Sequence, residues 1–194
     1  RGVTDPVALS LDLATMQHPQ SMTGIETAAE LLATAVMQDC EILVVGDFDA
    51  DGATGTALAL LSLRAMGAKR IDYRVPNRFE FGYGLTVPLV ETLRERPPDV
   101  LLTVDSGIKC VAGVTRAREL GCRVVVTDHQ LPGEVLPPAP AIVHPNQPGD
   151  GFPSKALAGG GGKFFQRGVV RRRVRGQGWL GPAPPEPHQA SYID

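Results

Sequence analysis

The chain has 194 residues, 43% of them hydrophobic and 21% charged, which fits one globular domain with an appendage and excludes global disorder. A formal net charge of −2 gives no whole-chain signature of nucleic-acid binding, so any such site must be a local patch. No apolar run approaches the roughly 20 residues of a membrane span. The three cysteines, Cys40, Cys110 and Cys122, form no CxxC pair; their number fits free thiols in a reducing cytoplasm better than a disulfide frame or a zinc site. The chain starts at Arg1 and is expected to be a piece of a longer protein.

Residues 1–23 are weakly patterned, with a loop at His18-Pro-Gln. Ile25 to Gln38 keeps a spacing of three to four between apolar positions and predicts a helix with Thr23 as its cap. Ile42–Val45 predicts a short strand buried on both faces. Asp47, Asp49 and Asp51 follow it, and Ala53–Met66 predicts the next helix, stopped by Gly67. Ile71–Val75 predicts a second strand, and residues 77–84 a loop carrying Arg78, three aromatics and two glycines. Thr86–Arg96 predicts a helix ended by Pro97-Pro98. Val100–Val104 then predicts a third strand running into Asp105, and 109–120 a helix stopped by Gly121. Arg123–Thr127 predicts a fourth strand running into Asp128-His129, and Ala141–Val143 a fifth.

Strands alternating with helices imply an α/β fold with a mostly parallel, Rossmann-like sheet flanked by helices. Ligands of such sheets gather beyond the carboxyl ends of the strands. The acidic residues fall there three times, at Asp47/Asp49/Asp51, at Asp105 and at Asp128-His129. Like charges crowded together raise one another's pKa, and a hard divalent cation removes that cost. Carboxylates with one imidazole on neighbouring strand ends make a site for two ions such as Mn²⁺ or Mg²⁺, with Asp105 the natural bridge. His18, His144 and His188 read as surface or packing residues. The glycines do not have dinucleotide-fingerprint spacing and no phosphate loop of GxxxxGK[ST] form is present, which disfavours nicotinamide enzymes and P-loop NTPases.

Gly46-Asp-Phe-Asp-Ala-Asp-Gly52, Val104-Asp-Ser-Gly107 and Thr127-Asp-His-Gln130 resemble the first three motifs of the DHH phosphoesterases. Residues 75–85, 131–137 and 152–159 resemble the branch that degrades single-stranded DNA from its 5′ end. The resemblance implies metal-dependent phosphodiester hydrolysis, with Asp47, Asp49, Asp51, Asp105 and His129 around two Mn²⁺ or Mg²⁺ ions. It places Asp128, His129 and Gln130 in the catalytic motif, Asp128 orienting His129 or holding a hydrogen bond around it. Arg78 is then positioned to take a phosphate, and Tyr83 to stack on a base or sugar. Implied partners are single-stranded DNA and proteins of DNA repair and recombination, with no membrane and a cytoplasmic location.

Three departures qualify the resemblance. Gln130 stands where the family has a second histidine, and an amide carries neither charge nor a transferable proton. Gly159–Gly162 and the arginines at 171–173 and 175 stand where the family has an apolar helix entry, so 159–194 is expected to be the least ordered part. The fourth motif's aspartate and the second domain are expected beyond residue 194. The expected units are a helical lead-in over 1–40, an incomplete DHH-type catalytic domain over 41–178 and a proline-rich tail over 179–194. The fragment is therefore expected to turn over weakly or not at all. The alternatives are a non-catalytic metal- or DNA-binding remnant, or a haloacid-dehalogenase-like phosphatase, which also places DxD after its first strand.

Overall fold

The computed structural model describes residues 18–155, 157 and 159–179, with the backbone alone over 159–166. The stretch 1–17, His188 and the tail beyond 179 lie outside the described residues. Five strands form one sheet: β1 (Ile42–Val45), β2 (Ile71–Arg74), β3 (Val100–Thr103), β4 (Arg123–Thr127) and β5 (Ala141–Val143). Their order is β2-β1-β3-β4-β5 and every pair is parallel, which confirms the α/β reading.

Alternate residues of the strands enter two separate cores, as the two-residue period requires. Ile42, Val44, Val100, Leu102 and Val125 face one layer, with Leu32 and Val36 of α1 (Ile25–Met37) and Leu60 and Leu63 of α2 (Ala50–Ala65). Leu43, Val45, Leu101, Val124 and Val126 face the other, with Leu89 and Val90 of α4 (Val87–Glu91) and Val114 and Ala117 of α5 (Val111–Glu119). Burial on both faces explains why these strands read as continuous apolar runs. The chain leaves β1 toward β2 through α2 on one face and returns to β3 through α4 on the other. The order therefore reverses between β1 and β3, where a crevice opens beyond the carboxyl ends.

Several expected boundaries move. Helix α1 is capped by Gly24, at φ 79°, and not by Thr23, whose amide donates to Asp150 Oδ2 at 2.6 Å. A Cβ at Gly24 would lie 2.1 Å from the Ile142 carbonyl oxygen, so helix entry is pressed against β5 and no capping side chain fits. Helix α2 starts at Ala50, three residues early, because Asp49 Oδ1 accepts the Gly52 amide at 2.8 Å and caps it. Residues 78–81 form a one-turn helix, α3 (Arg78–Phe81), capped by Asn77 where a loop was expected. The helix expected over 86–96 keeps α geometry only to Glu91, and i→i−3 bonds from Thr92 to Arg96 continue it as tighter turns.

The largest correction is at the C-terminal side. Residues Gly159–Gly176 form a helix, α6, packed on α1 and α2, where little buriable surface was expected. Val169, Val170 and Val174 are each at most 1% exposed and belong to the α1/α2 core. Arg172 and Arg173 reach Glu26 at 2.9 and 3.1 Å, and Arg173 reaches Glu30 at 2.5 Å, so these cations of the basic cluster lie against α1. Trp179 closes the element by donating from Nε1 to the Met66 carbonyl at 3.2 Å. Tertiary burial outweighs the weak propensity of the glycine run, as it does for most protein helices.

Candidate metal centre

The three acidic turns meet in the crevice between β1 and β3. Asp47 leaves β1 buried, at 6% exposure, and Asp51, in the first turn of α2 with 46% of its side chain exposed, brings Oδ2 to 3.9 Å from His129 Nε2. Gly52 lets this helix start touch the turn: a Cβ there would lie 2.5 Å from the Asp47 carbonyl oxygen. Asp105 follows β3 at φ 58°, a left-handed conformation uncommon outside glycine, asparagine and aspartate. It is held there by its amide, which donates to the Thr127 carbonyl at 3.0 Å, and by Tyr83, whose hydroxyl donates to the Asp105 carbonyl at 3.0 Å.

Two donor sets result. Asp51, Asp105 and His129 offer ligand atoms within 4.8 Å of one another, and so do Asp47, Asp49 and Asp105. Asp105 is common to both. It is 1% exposed, and His129 Nε2 lies 2.8 Å from its Oδ1 but off the line of a hydrogen bond; no described donor satisfies that oxygen. A buried carboxylate oxygen without a donor, among three further carboxylates and an imidazole, is the donor chemistry that a hard divalent cation fits. Two sets sharing one carboxylate fit a pair of such cations.

Burial pushes the Asp105 carboxyl up to about 7; His129 opposes the rise and Asp49 adds to it. Because the folded-state value exceeds the ordinary 3.8, its contribution to ion-free stability is full below about 4 and is lost as pH rises through about 7. Ion binding must displace that proton. Mn²⁺ affinity should therefore fall by up to about tenfold for each pH unit below 7, which titration calorimetry between pH 5.5 and 8 would show. An affinity flat across that range would place the ion away from Asp105.

The other expected residues divide. The Asp128 carboxylate does not orient the His129 ring: Oδ1 accepts the amides of His129 and Gln130 at 2.7 and 3.0 Å, and Oδ2 accepts the Ile108 amide at 3.0 Å. It fastens the β4 turn to the β3 turn. Gln130 turns its amide inward, donating from Nε2 to Tyr83 Oη and lying 3.4 Å from the Asp105 carbonyl. Burial first, then Asp128 and Asp47, push the Tyr83 phenol well above its usual range, which keeps its proton on the hydroxyl. Its hydroxyl is thus engaged and its ring remains half-exposed. Arg78 lies over two aromatic rings, 3.9 Å from the Phe48 ring centre and 5.1 Å from that of Tyr83, with Nη2 3.6 Å from Asp47 Oδ2. Phe48 was not singled out in the sequence, although its place between Asp47 and Asp49 was a signal.

His144 is a packing residue, one of the two kinds expected for it. It is wholly buried and hydrogen-bonded to the Gln130 carbonyl. Burial holds its imidazole below the usual range, so the ring is neutral.

A five-stranded parallel sheet with carboxylates and a histidine at its switch point defines an α/β domain that carries the donor groups of a metal site. The DHH family, N-terminal domain, matches residues 41–167, and the chain belongs to that family. It is 48% identical over 180 residues to the single-stranded-DNA-specific exonuclease RecJ of Escherichia coli (strain K12), covering 93% of this chain and 31% of that protein. It is 46% identical to the protein of the same name from Haemophilus influenzae, covering 100% of this chain and 34% of that one. A crystal structure of exonuclease RecJ bound to manganese superposes with a TM-score of 0.72 at 38% identity, covering 84% of this chain and 40% of that one. RecJ in complex with Mn²⁺ from Thermus thermophilus gives 0.66 at 34% identity, over 84% and 22%. The chain thus spans about a third of the length of the first two relatives. The haloacid-dehalogenase alternative is set aside: a histidine completes the carboxylate cluster where that chemistry needs a lysine and a paired acid, and Lys109 is exposed.

Proposed function

We propose that this chain carries the metal-holding core of a DHH-family exonuclease that hydrolyses single-stranded DNA from its 5′ end. The observation that carries the reading is Asp105, buried without a donor on Oδ1 and shared by both donor sets. Asp51, Asp105 and His129 would hold one Mn²⁺ or Mg²⁺ ion, and Asp47, Asp49 and Asp105 the other. Bound there, the ions supply Lewis-acid activation of water and offset negative charge on the phosphoryl oxygens.

The protein's own groups do the rest. Arg78, half-exposed beside the Phe48 and Tyr83 rings and next to Asp47, is placed to take a phosphate oxygen. The exposed face of Tyr83 offers a stacking surface to a base or sugar. Asp128 fixes the two turns that carry Asp105 and His129, so the site is built before substrate arrives. Gln130 offers a neutral amide where the family has an imidazole, and its amide nitrogen already faces Tyr83 and the Asp105 carbonyl. That inward orientation favours slow turnover, and it is what supports the second reading, a domain that holds ions and DNA without cleaving. A cytoplasmic setting and partners in DNA repair and recombination belong to the same proposal, supported by the relatives' named action on single-stranded DNA. Separately, no helix among the described residues is long and apolar enough to cross a membrane.

The test is Mn²⁺-dependent nucleotide release from a 5′-labelled single strand and from the matching duplex, for the chain and its Asp105→Asn variant. Release should be confined to the single strand, slow, and lost with chelator and with the substitution. Release that survives chelation or Asp105→Asn would contradict the reading; Mn²⁺ binding without release would select the non-cleaving alternative.

A further inference from the structure

Strand β5 delivers the chain into His144-Pro145-Asn146-Gln147, and three of these four side chains satisfy backbone carbonyls. Asn146 donates from its own amide to His144 Nδ1 at 2.9 Å, so the ring proton sits on Nε2 and points to the Gln130 carbonyl oxygen at 2.5 Å. The Asn146 side chain donates to the carbonyls of His129 at 3.4 Å and Lys155 at 3.0 Å. Gln147 donates to the carbonyls of Thr23 and Ile142, each at 3.1 Å. The parallel register that pairs Thr127 with Val143 brings residues 128–130 beside 144–146.

The backbone at His129 and Gln130 is therefore held from both sides. Both amides go to Asp128, the His129 carbonyl goes to Asn146, and the carbonyl of the next residue, Gln130, goes to His144. His144 is 0% exposed, so no water can replace its donor. Among these partners His144 makes the shortest contact, and it touches none of the carboxylates of the two donor sets.

We infer that His144 is a positioning residue for the metal centre: by fixing the Gln130 carbonyl it sets the backbone from which His129 faces Asp105. The inference rests on the metal-centre reading above. A histidine that merely filled the core would affect stability alone; a positioning histidine affects how well the folded protein binds its ions.

The experiment compares His144→Gln, whose amide can reach the Gln130 carbonyl, with His144→Leu, which fills the space without a donor. His144→Asn, too short to reach, replaces the leucine variant if that one does not fold. Mn²⁺ dissociation constants are measured by calorimetry well below each variant's ion-free melting temperature, beside Asp105→Asn. Loss of the donor should weaken Mn²⁺ binding about tenfold in the folded protein, the low end of what outer-shell partners of a metal ligand contribute. His144→Gln should recover most of that loss, whatever its melting temperature. Wild-type affinity in His144→Leu or His144→Asn, or glutamine no better than either, would overturn the inference while leaving the metal centre standing. Wild-type affinity in Asp105→Asn would overturn both.

Discussion

Asp105→Asn should raise the ion-free melting temperature and remove most of the stabilisation that Mn²⁺ gives the native chain. Asn is the informative substitution because the residue sits at φ 58°, where Asn is tolerated and most other residues cost about 1–2 kcal/mol. It removes the charge while leaving the turn intact. Without ions, the carboxylate is a liability, buried and close to Asp49 and Asp128, as its upward shift shows. With ions present, a ligand that binds only the folded state stabilises it by about 2.7 kcal/mol at a hundred times its dissociation constant. Because Asp105 belongs to both donor sets, one substitution weakens both. Asp51→Asn or Asp49→Asn should each remove a smaller part, since each touches one set. Thermal denaturation with and without Mn²⁺ reads all three. An Mn²⁺ shift in Asp105→Asn equal to that of the native chain would mean the ions bind elsewhere.

Val174→Asp should unfold the chain, or bring its melting temperature close to room temperature. Val174 is wholly buried where α6 meets α1 and α2, so the new carboxylate would have no water and no cation built to receive it. Breaking a core this way costs several kcal/mol, against a total stability of about 5–15 kcal/mol for a domain. Arg173→Ala, by contrast, removes half-exposed pairs to Glu26 and Glu30, and each such pair is worth at most about 1 kcal/mol. Circular dichroism melts of the two variants make the comparison. Native-like melting of Val174→Asp would show that α6 is not part of the core.

That helix marks where sequence reading failed. The four glycines at 159–162 argue against a helix one residue at a time, and the glycines, prolines and like charges beyond them offer little apolar surface to bury. The signal that mattered was Val169, Val170 and Val174 on one side of the arginines, a stripe whose value depends on the groove between α1 and α2 that receives it. The strands were legible for the opposite reason: a parallel sheet covered on both faces needs uninterrupted apolar runs, which Ile42–Val45 and Val100–Thr103 are. The carboxylates were legible because every one follows a strand at its carboxyl end. The partners of those carboxylates were not. His144 lies beside Gln130 only through the β4–β5 register, and Asp128 binds Ile108 across twenty residues, so neither spacing announces the contact. The start of helix α2 was legible in principle, since Asp49 three residues before Gly52 is an ordinary cap.

The central claim is that Asp105 joins two cation sites at the β1/β3 crevice. Anomalous diffraction at the manganese edge, from crystals of the chain grown with Mn²⁺, tests it most directly. The account predicts two peaks on either side of the Asp105 carboxylate, one also touching Asp51 and His129, the other touching Asp47 and Asp49. Peaks that avoid Asp105, or ions held only by surface carboxylates elsewhere, would contradict it.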